Sequence, residues 1–311
     1  MQRITGFLFI ALAAFFWAFT GPIARYAMEN GIGPLEVAFW RAFFGGCTFL
    51  LHASLTRSVR VPGRMMLILF AYGVVNIAML FGVYLVAIEQ AGVALAAILM
   101  YTAPAWVAIL SRLVFKEEIT RLKIMALALA IGGAALACAS GGGLPQGASA
   151  LGVALSLLSG LLYSLNYIFN KHYLRFFSSI TIYAWCMPVG ALVLFPLVDF
   201  APKAAPVWLA LVAVGVVSAY AAYWCYCEGL KRLNPTLASV TATLEPISAA
   251  ILAWIIFGEQ LPLSGWIGTA LVLAGVFVSI LGNKPQDDGG NADGEAQPAS
   301  MSSPSSSCEP K

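Results

Sequence analysis

The chain has 311 residues, 60% hydrophobic and only 10% charged, with a mean hydropathy of +0.86. That excludes a water-facing domain, because such a surface has to meet hydrocarbon. The net charge of +3, without any basic cluster interleaved with aromatics, excludes nucleic acid as a partner.

Taken in order, the sequence predicts ten apolar segments, each about 20 residues long and sufficient to cross a bilayer core of about 30 Å. They run roughly over 4–28, 34–55, 64–88, 92–114, 120–140, 147–172, 178–199, 206–230, 235–257 and 262–282. Helices are expected, since runs this long lack the alternation of a barrel strand. Turn and charge signals separate them, among them Asn30-Gly31-Ile32-Gly33-Pro34, the stretch Arg57 to Arg64, and Asn234-Pro235. The first run passes through Trp17 and Phe19 without a clean small-residue cleavage site, so a retained helix is expected rather than a signal peptide. After Pro285 the composition turns to Asp, Gly, Ser and Pro, and a disordered tail is expected over 285–311. The cysteines Cys47, Cys138, Cys186, Cys225, Cys227 and Cys308 form no framework. Cys225-x-Cys227 reads as a pair of buried small hydrophobes. No metal and no cofactor are expected.

The chain repeats itself. Shifted by 142 positions, Tyr84 to Cys138 lies without a gap on Tyr226 to Ile280. Pro104 falls on Pro246, Ala108-Ile109-Leu110 on Ala250-Ile251-Leu252, Phe115 on Phe257, Glu117 on Glu259 and Gly133 on Gly275. A mid-segment proline and an apolar run ending in glutamate, repeated at one spacing, mark an internal duplication. It divides the chain into 1–140, a connector at 141–147, and 148–284. Five helices per unit is an odd number, so the second copy is expected to run upside down. Lysine and arginine support this: with the N-terminus inside, nearly all of them fall on inner segments, and the outer loops hold only Arg25 and Lys203. Lys116, Arg121 and Lys123 surround Glu117, whereas Gly258-Glu259-Gln260-Leu261-Pro262 carries no base. The expectation is an all-α, ten-helix membrane protein in a 5+5 inverted repeat, the plan of many secondary transporters, with the solute site where the halves meet.

Several of these residues resemble a known family. Pro104, Ala108-Ile109-Leu110 and Phe115-Lys116-Glu117-Glu118 are similar to the fourth-helix end of the drug/metabolite transporter superfamily, EamA type. Glu245-Pro246, Ala250-Ile251-Leu252-Ala253-Trp254 and Phe257-Gly258-Glu259 resemble its ninth helix, Phe39-Trp40-Arg41-Ala42 its second and Trp17-Ala18 its first. The resemblance covers about residues 4–282 and implies ten helices around a central cavity. Among bacterial members, amino acid exporters are the nearest match, aromatic amino acid exporters included. An inner-membrane protein is implied. The lysine and arginine distribution with an even helix count puts both termini in the cytoplasm. The expected partners are the bilayer and a small-molecule substrate, with a monomer as the expected state.

Two charged residues lie well inside expected spans, where charge is costly and tends to mark function. Arg41 reads first as an anchor to backbone carbonyls or a neighbouring helix, with contact to a solute carboxylate as the alternative. Glu245 stands beside Pro246, with Ala103 at the equivalent place in the first half; it suits binding of a solute amine or exchange of a proton. Ser159, Tyr163, Asn166 and Asn170 share one helical face, as do Thr241, Glu245 and Ser248, while Tyr72, Asn76 and Met79 follow the same logic in the third span. Trp17, Asn76, Met79, Tyr101, Tyr163, Asn166, Tyr223 and Glu245 are the candidate solute-binding residues. Rings for the apolar part of a solute and amides for its polar ends suit a small amphipathic molecule. A membrane-embedded enzyme would need a nucleophile with a base, a carboxylate pair or metal ligands. The only histidines, His52 and His172, sit near helix ends, and neither HExxH nor GxxxxGK[ST] occurs. Transport, without catalysis, is the expected activity.

Overall fold

The computed structural model describes residues 2–91, 93–140, 149–258 and 262–281. The expected connector at 141–147, Glu259 and the tail at 285–311 lie outside the described residues. Among the described residues there is no strand. The first half holds α1 (Gln2–Ala18), α2 (Thr20–Glu29), α3 (Pro34–Leu55), α4 (Gly63–Gly73), α5 (Leu80–Ala91), α6 (Val93–Met100), α7 (Ala103–Phe115) and α8 (Arg121–Ser140). The second holds α9 (Ala150–Tyr173), α10 (Ser179–Leu194), α11 (Ala205–Ala213), α12 (Ala222–Arg232), α13 (Pro235–Ala242), α14 (Leu244–Phe257) and α15 (Leu263–Leu281).

Nine helical stretches among the described residues are long and apolar enough to cross a membrane. The expected second span, α3, is not one of them. Its 22 residues suffice in length, but Glu36, Arg41 and His52 lower its hydropathy. Burial shows which solvent the bundle meets. Leu55 is 76% exposed and Leu209 72%, while Ser156 and Asn170 are fully buried. Apolar side chains face outward and polar ones inward, as hydrocarbon demands.

The helix breaks have a common cause. α1 ends at Ala18, α6 at Met100 and α13 at Ala242, each four residues before a proline: Pro22, Pro104 and Pro246. A proline has no N–H to offer the carbonyl four residues back, and its ring crowds that carbonyl. Met100 and Ala242 are repeat mates, so the fourth and ninth expected spans carry matched breaks. Pro188 stays inside an unbroken α10.

Two π-helical stretches also recur: Val74–Met79 joins α4 to α5, and Val214–Ala221 joins α11 to α12. The 142-residue shift carries Val74–Met79 onto the last six residues of the second stretch. The caps match too. α7 ends in a left-handed Lys116 at φ 56° and α14 in a left-handed Gly258 at φ 70°. Glycine adopts that conformation freely; lysine does so at a cost of about 1 kcal/mol.

α3 packs on α10, α8 on α15, α1 on α12 and α5 on α9. Exchanging the halves returns the same set of pairs. Small residues allow the closest approach: a Cβ on Gly133 would stand 2.7 Å from the Gly268 carbonyl oxygen. Such contacts hold helices together where no hydrophobic effect operates between them. Outside the centre, two buried ion pairs tie helix ends. Glu117 accepts from Ser111 and pairs with Lys123 at 2.9 Å. Lys203, expected as an outer-loop charge, is instead buried against Glu36, among the rings of Trp40, Phe200 and Trp208.

Candidate functional site

The proline breaks meet around a cavity of about 310 Å³ between the two halves, at the lower end of the range of about 300–1,000 Å³ seen for small-molecule sites. Trp17, Ala18, Thr20 and Gly21 come from the α1–α2 break, and Met100 and Tyr101 from the α6–α7 break. Glu245 and Ala249 follow the α13–α14 break; Arg41 comes from α3, Leu80, Phe81 and Tyr84 from α5, Tyr163 from α9 and Tyr223 from α12. Six aromatic rings and two opposite charges therefore surround one space. Discontinuous helices are the means by which membrane proteins bring free backbone and helix ends to a buried solute. Glu245 lies in the first turn of α14, at the helix end that the α13–α14 break turns toward the cavity.

The rings brace one another. Trp17 meets Tyr223 edge-on at 5.4 Å and Tyr226 at 5.5 Å. Tyr163 meets Tyr167 at 5.6 Å, and Tyr167 meets Tyr226 at 5.2 Å. Several polar groups here are unmet. Among the described residues, Trp17 Nε1, Thr20 Oγ1 and Arg41 Nε are buried without a hydrogen-bond partner. Arg41 donates once, to the Ser218 carbonyl at 3.1 Å, and lies over the Phe81 ring at 5.3 Å.

Of the eight candidate residues, five line this cavity: Trp17, Tyr101, Tyr163, Tyr223 and Glu245. Asn166 does not. It accepts from Tyr72 Oη at 2.5 Å, in a buried cluster where Asn170 Nδ2 donates to Tyr72 Oη at 2.7 Å and to Tyr183 Oη at 3.0 Å. Tyr72 also stacks on Phe169 with centroids 3.7 Å apart. Asn76 is buried off the cavity with Oδ1 unpartnered, and Met79 is 45% exposed. Both lie in the π-helical stretch Val74–Met79. Its extra residue per turn rotates the following face away from α-helical register, so Leu80, Phe81 and Tyr84 turn to the cavity instead. Ser159, Thr241 and Ser248 spend their hydroxyls on carbonyls of their own helices. Phe81 and Tyr84 were missed as site residues, although Tyr84 opens the repeated stretch.

With this geometry in view, comparison with known proteins is informative. The model of the EamA-like transporter family matches residues 4–139 and again 150–281. The chain belongs to the EamA-like transporter family. This EamA-like transporter is 29% identical over 259 residues to an uncharacterized transporter of Archaeoglobus fulgidus, covering 83% of this chain and 91% of that one. It is 27% identical to the uncharacterized transporter YwfM of Bacillus subtilis, over 87% of this chain and 92% of the relative. The uncharacterized inner membrane transporter YicL of Salmonella typhimurium is 22% identical, with 90% and 96% covered. A solved crystal structure shares the fold with a TM-score of 0.77 at 18% identity, over 91% of this chain and 99% of that one. The chain is thus a multi-pass membrane protein of a transporter family, as its sequence predicts.

Proposed function

We propose that this EamA-like transporter is a secondary transporter of the bacterial inner membrane. It exports small amphipathic metabolites, chiefly amino acids and aromatic ones among them, by alternating access. The observation that carries this reading is the cavity itself, with six rings, Arg41 and Glu245 at the meeting of three proline breaks. Rings suit an apolar side chain and the two charges suit a solute bearing charge of its own. Counterflow into sealed proteoliposomes containing only this protein tests it. Radiolabelled phenylalanine, tyrosine and leucine should exchange, and nucleobases should not. Exchange of nucleobases alone would replace the amino acid reading, and absence of any flux would remove transport.

The same reading takes the bundle as ten spans, counting α3, in two five-helix units of opposite orientation, 1–140 and 148–284. Matched breaks, matched π-helical stretches, matched left-handed caps and the exchange-symmetric packing support it. Both termini lie in the cytoplasm, which the lysine and arginine distribution supports, and likeness to the inner membrane transporter YicL favours the inner membrane. An impermeant thiol reagent checks the orientation in a background without native cysteines. Gly142→Cys should label from outside and Arg60→Cys should not; the reverse pattern would invert the topology. Lys203 is a poor labelling position, because it is buried.

A further inference from the structure

Arg41 and Glu245 line the same cavity, yet no ion pair joins them among the described residues. In a medium of low dielectric, opposite charges attract strongly, so two that share a space without meeting are held apart by their settings. Arg41 is held by the Ser218 carbonyl and the Phe81 ring. A guanidinium has five N–H donors, and Arg41 Nε is buried with no acceptor. Trp17 Nε1 and Thr20 Oγ1, on the same cavity, are in the same condition. Trp17 packs edge-on against Tyr223, and Trp17, Thr20, Arg41 and Tyr223 all line this one cavity. Burying such groups unpaired costs about 1–3 kcal/mol each. All three are shielded in the present arrangement, so an oxygen anion in the cavity meets them as their side chains turn towards it. Glu245 supplies the converse, an acceptor with no donor among the described residues.

We infer that Arg41 is a specificity-determining residue that binds the free carboxylate of the solute, with Trp17 Nε1 and Thr20 Oγ1 beside it, while Glu245 takes the solute's ammonium. The inference rests on the amino acid reading above and adds to it a requirement that both charges be present on one molecule. It also gives each half of the chain one end of the solute. Arg41 belongs to the first half, where its repeat mate is Tyr183; Glu245 belongs to the second, where its mate is Ala103. A zwitterion then ties the two halves together, and a solute lacking one charge leaves a buried partner unmet, which discriminates strongly.

Binding of tritiated L-phenylalanine to the purified full chain in nanodiscs tests this, with unlabelled L-phenylalanine, 2-phenylethylamine and 3-phenylpropionate as competitors. On the wild type, the amine and the acid should each compete about 100-fold more weakly than the amino acid. Arg41→Gln should lose phenylalanine binding while keeping that of the tritiated amine, and Arg41→Lys should retain part of the phenylalanine affinity. A packing role for Arg41 would weaken both ligands together. Equal competition by the amine on the wild type, or an unchanged preference for phenylalanine in Arg41→Gln, overturns the assignment and leaves amino acid transport standing. The wild-type competition keeps the question decidable should Arg41→Gln not fold. Failure of the wild type to bind any of the three removes the amino acid reading and this inference together.

Discussion

Two polar regions lie along α9, about 5–10 Å apart along the helix axis, and they differ in how far their polar groups are paired. At Tyr163 the helix borders the cavity, where Trp17, Thr20 and Arg41 hold polar atoms without partners. One to two turns later, at Asn166 and Asn170, it enters a cluster in which Tyr72, Tyr183 and both amides bond one another. Cys227 Sγ completes that cluster, 3.8 Å from Asn170 Oδ1. Both regions are rich in tyrosine, so ring content does not tell them apart. Satisfaction of hydrogen bonds does. The saturated cluster packs the bundle interior, and the unsaturated groups border a cavity. Tyr223 connects them, since it lines the cavity and packs on Tyr183 at 4.7 Å.

The comparison breaks most visibly if Glu245 is altered. Glu245→Gln keeps shape and most hydrogen bonding but removes the titrating proton, and Arg41 is the other charge lining the same cavity. Uphill accumulation driven by a pH gradient should be lost altogether, while solute exchange persists at reduced affinity. Pump-like accumulation in the mutant would rule out a proton role for this carboxyl. In the saturated region, Asn170→Leu leaves the Tyr72 and Tyr183 hydroxyls short of a donor. Each hydroxyl still donates to Asn166 Oδ1, so the loss of the two bonds from Asn170 should lower stability by about 1–2 kcal/mol, read as a fall in the unfolding midpoint in detergent. An unchanged midpoint would mean that the cluster does not stabilise the bundle.

Smaller effects sharpen the contrast. Trp17→Ala and Tyr163→Ala should cut transport of bulky solutes by about tenfold, with membrane insertion intact; wild-type rates for every solute would place these rings off the path. Ser159→Ala should change neither property, within about 0.5 kcal/mol, because its hydroxyl bonds only the Ser156 carbonyl, at 2.6 Å. A transport defect in that variant would show that the cavity extends along α9 beyond its present wall.

The repeat, the helical segments and the proline positions could all be read locally. Composition demands a bilayer, a missing N–H demands a break, and five of eight candidate residues reach one cavity for that reason. Asn76 and Met79 miss it because a π-helical stretch depends on how the helix packs, and periodicity counted at 3.6 residues per turn cannot anticipate the extra residue. Asn166 shares a helical face with Tyr163, but the partners at its depth, Tyr72 and Tyr183, come from other helices. Lys203 reads as a loop charge until Glu36, 167 positions away, is found beside it.

The amino-acid sequence by itself determined the solvent, the duplication, the family and the places where helices must break, because each follows from composition or from a single residue's backbone chemistry. Only the tertiary structure decided which polar groups find partners and which face an empty space. Hydrogen bonding across the bundle joins residues such as Arg41 and Ser218, 177 positions apart, and that distance closes only when the two halves pack.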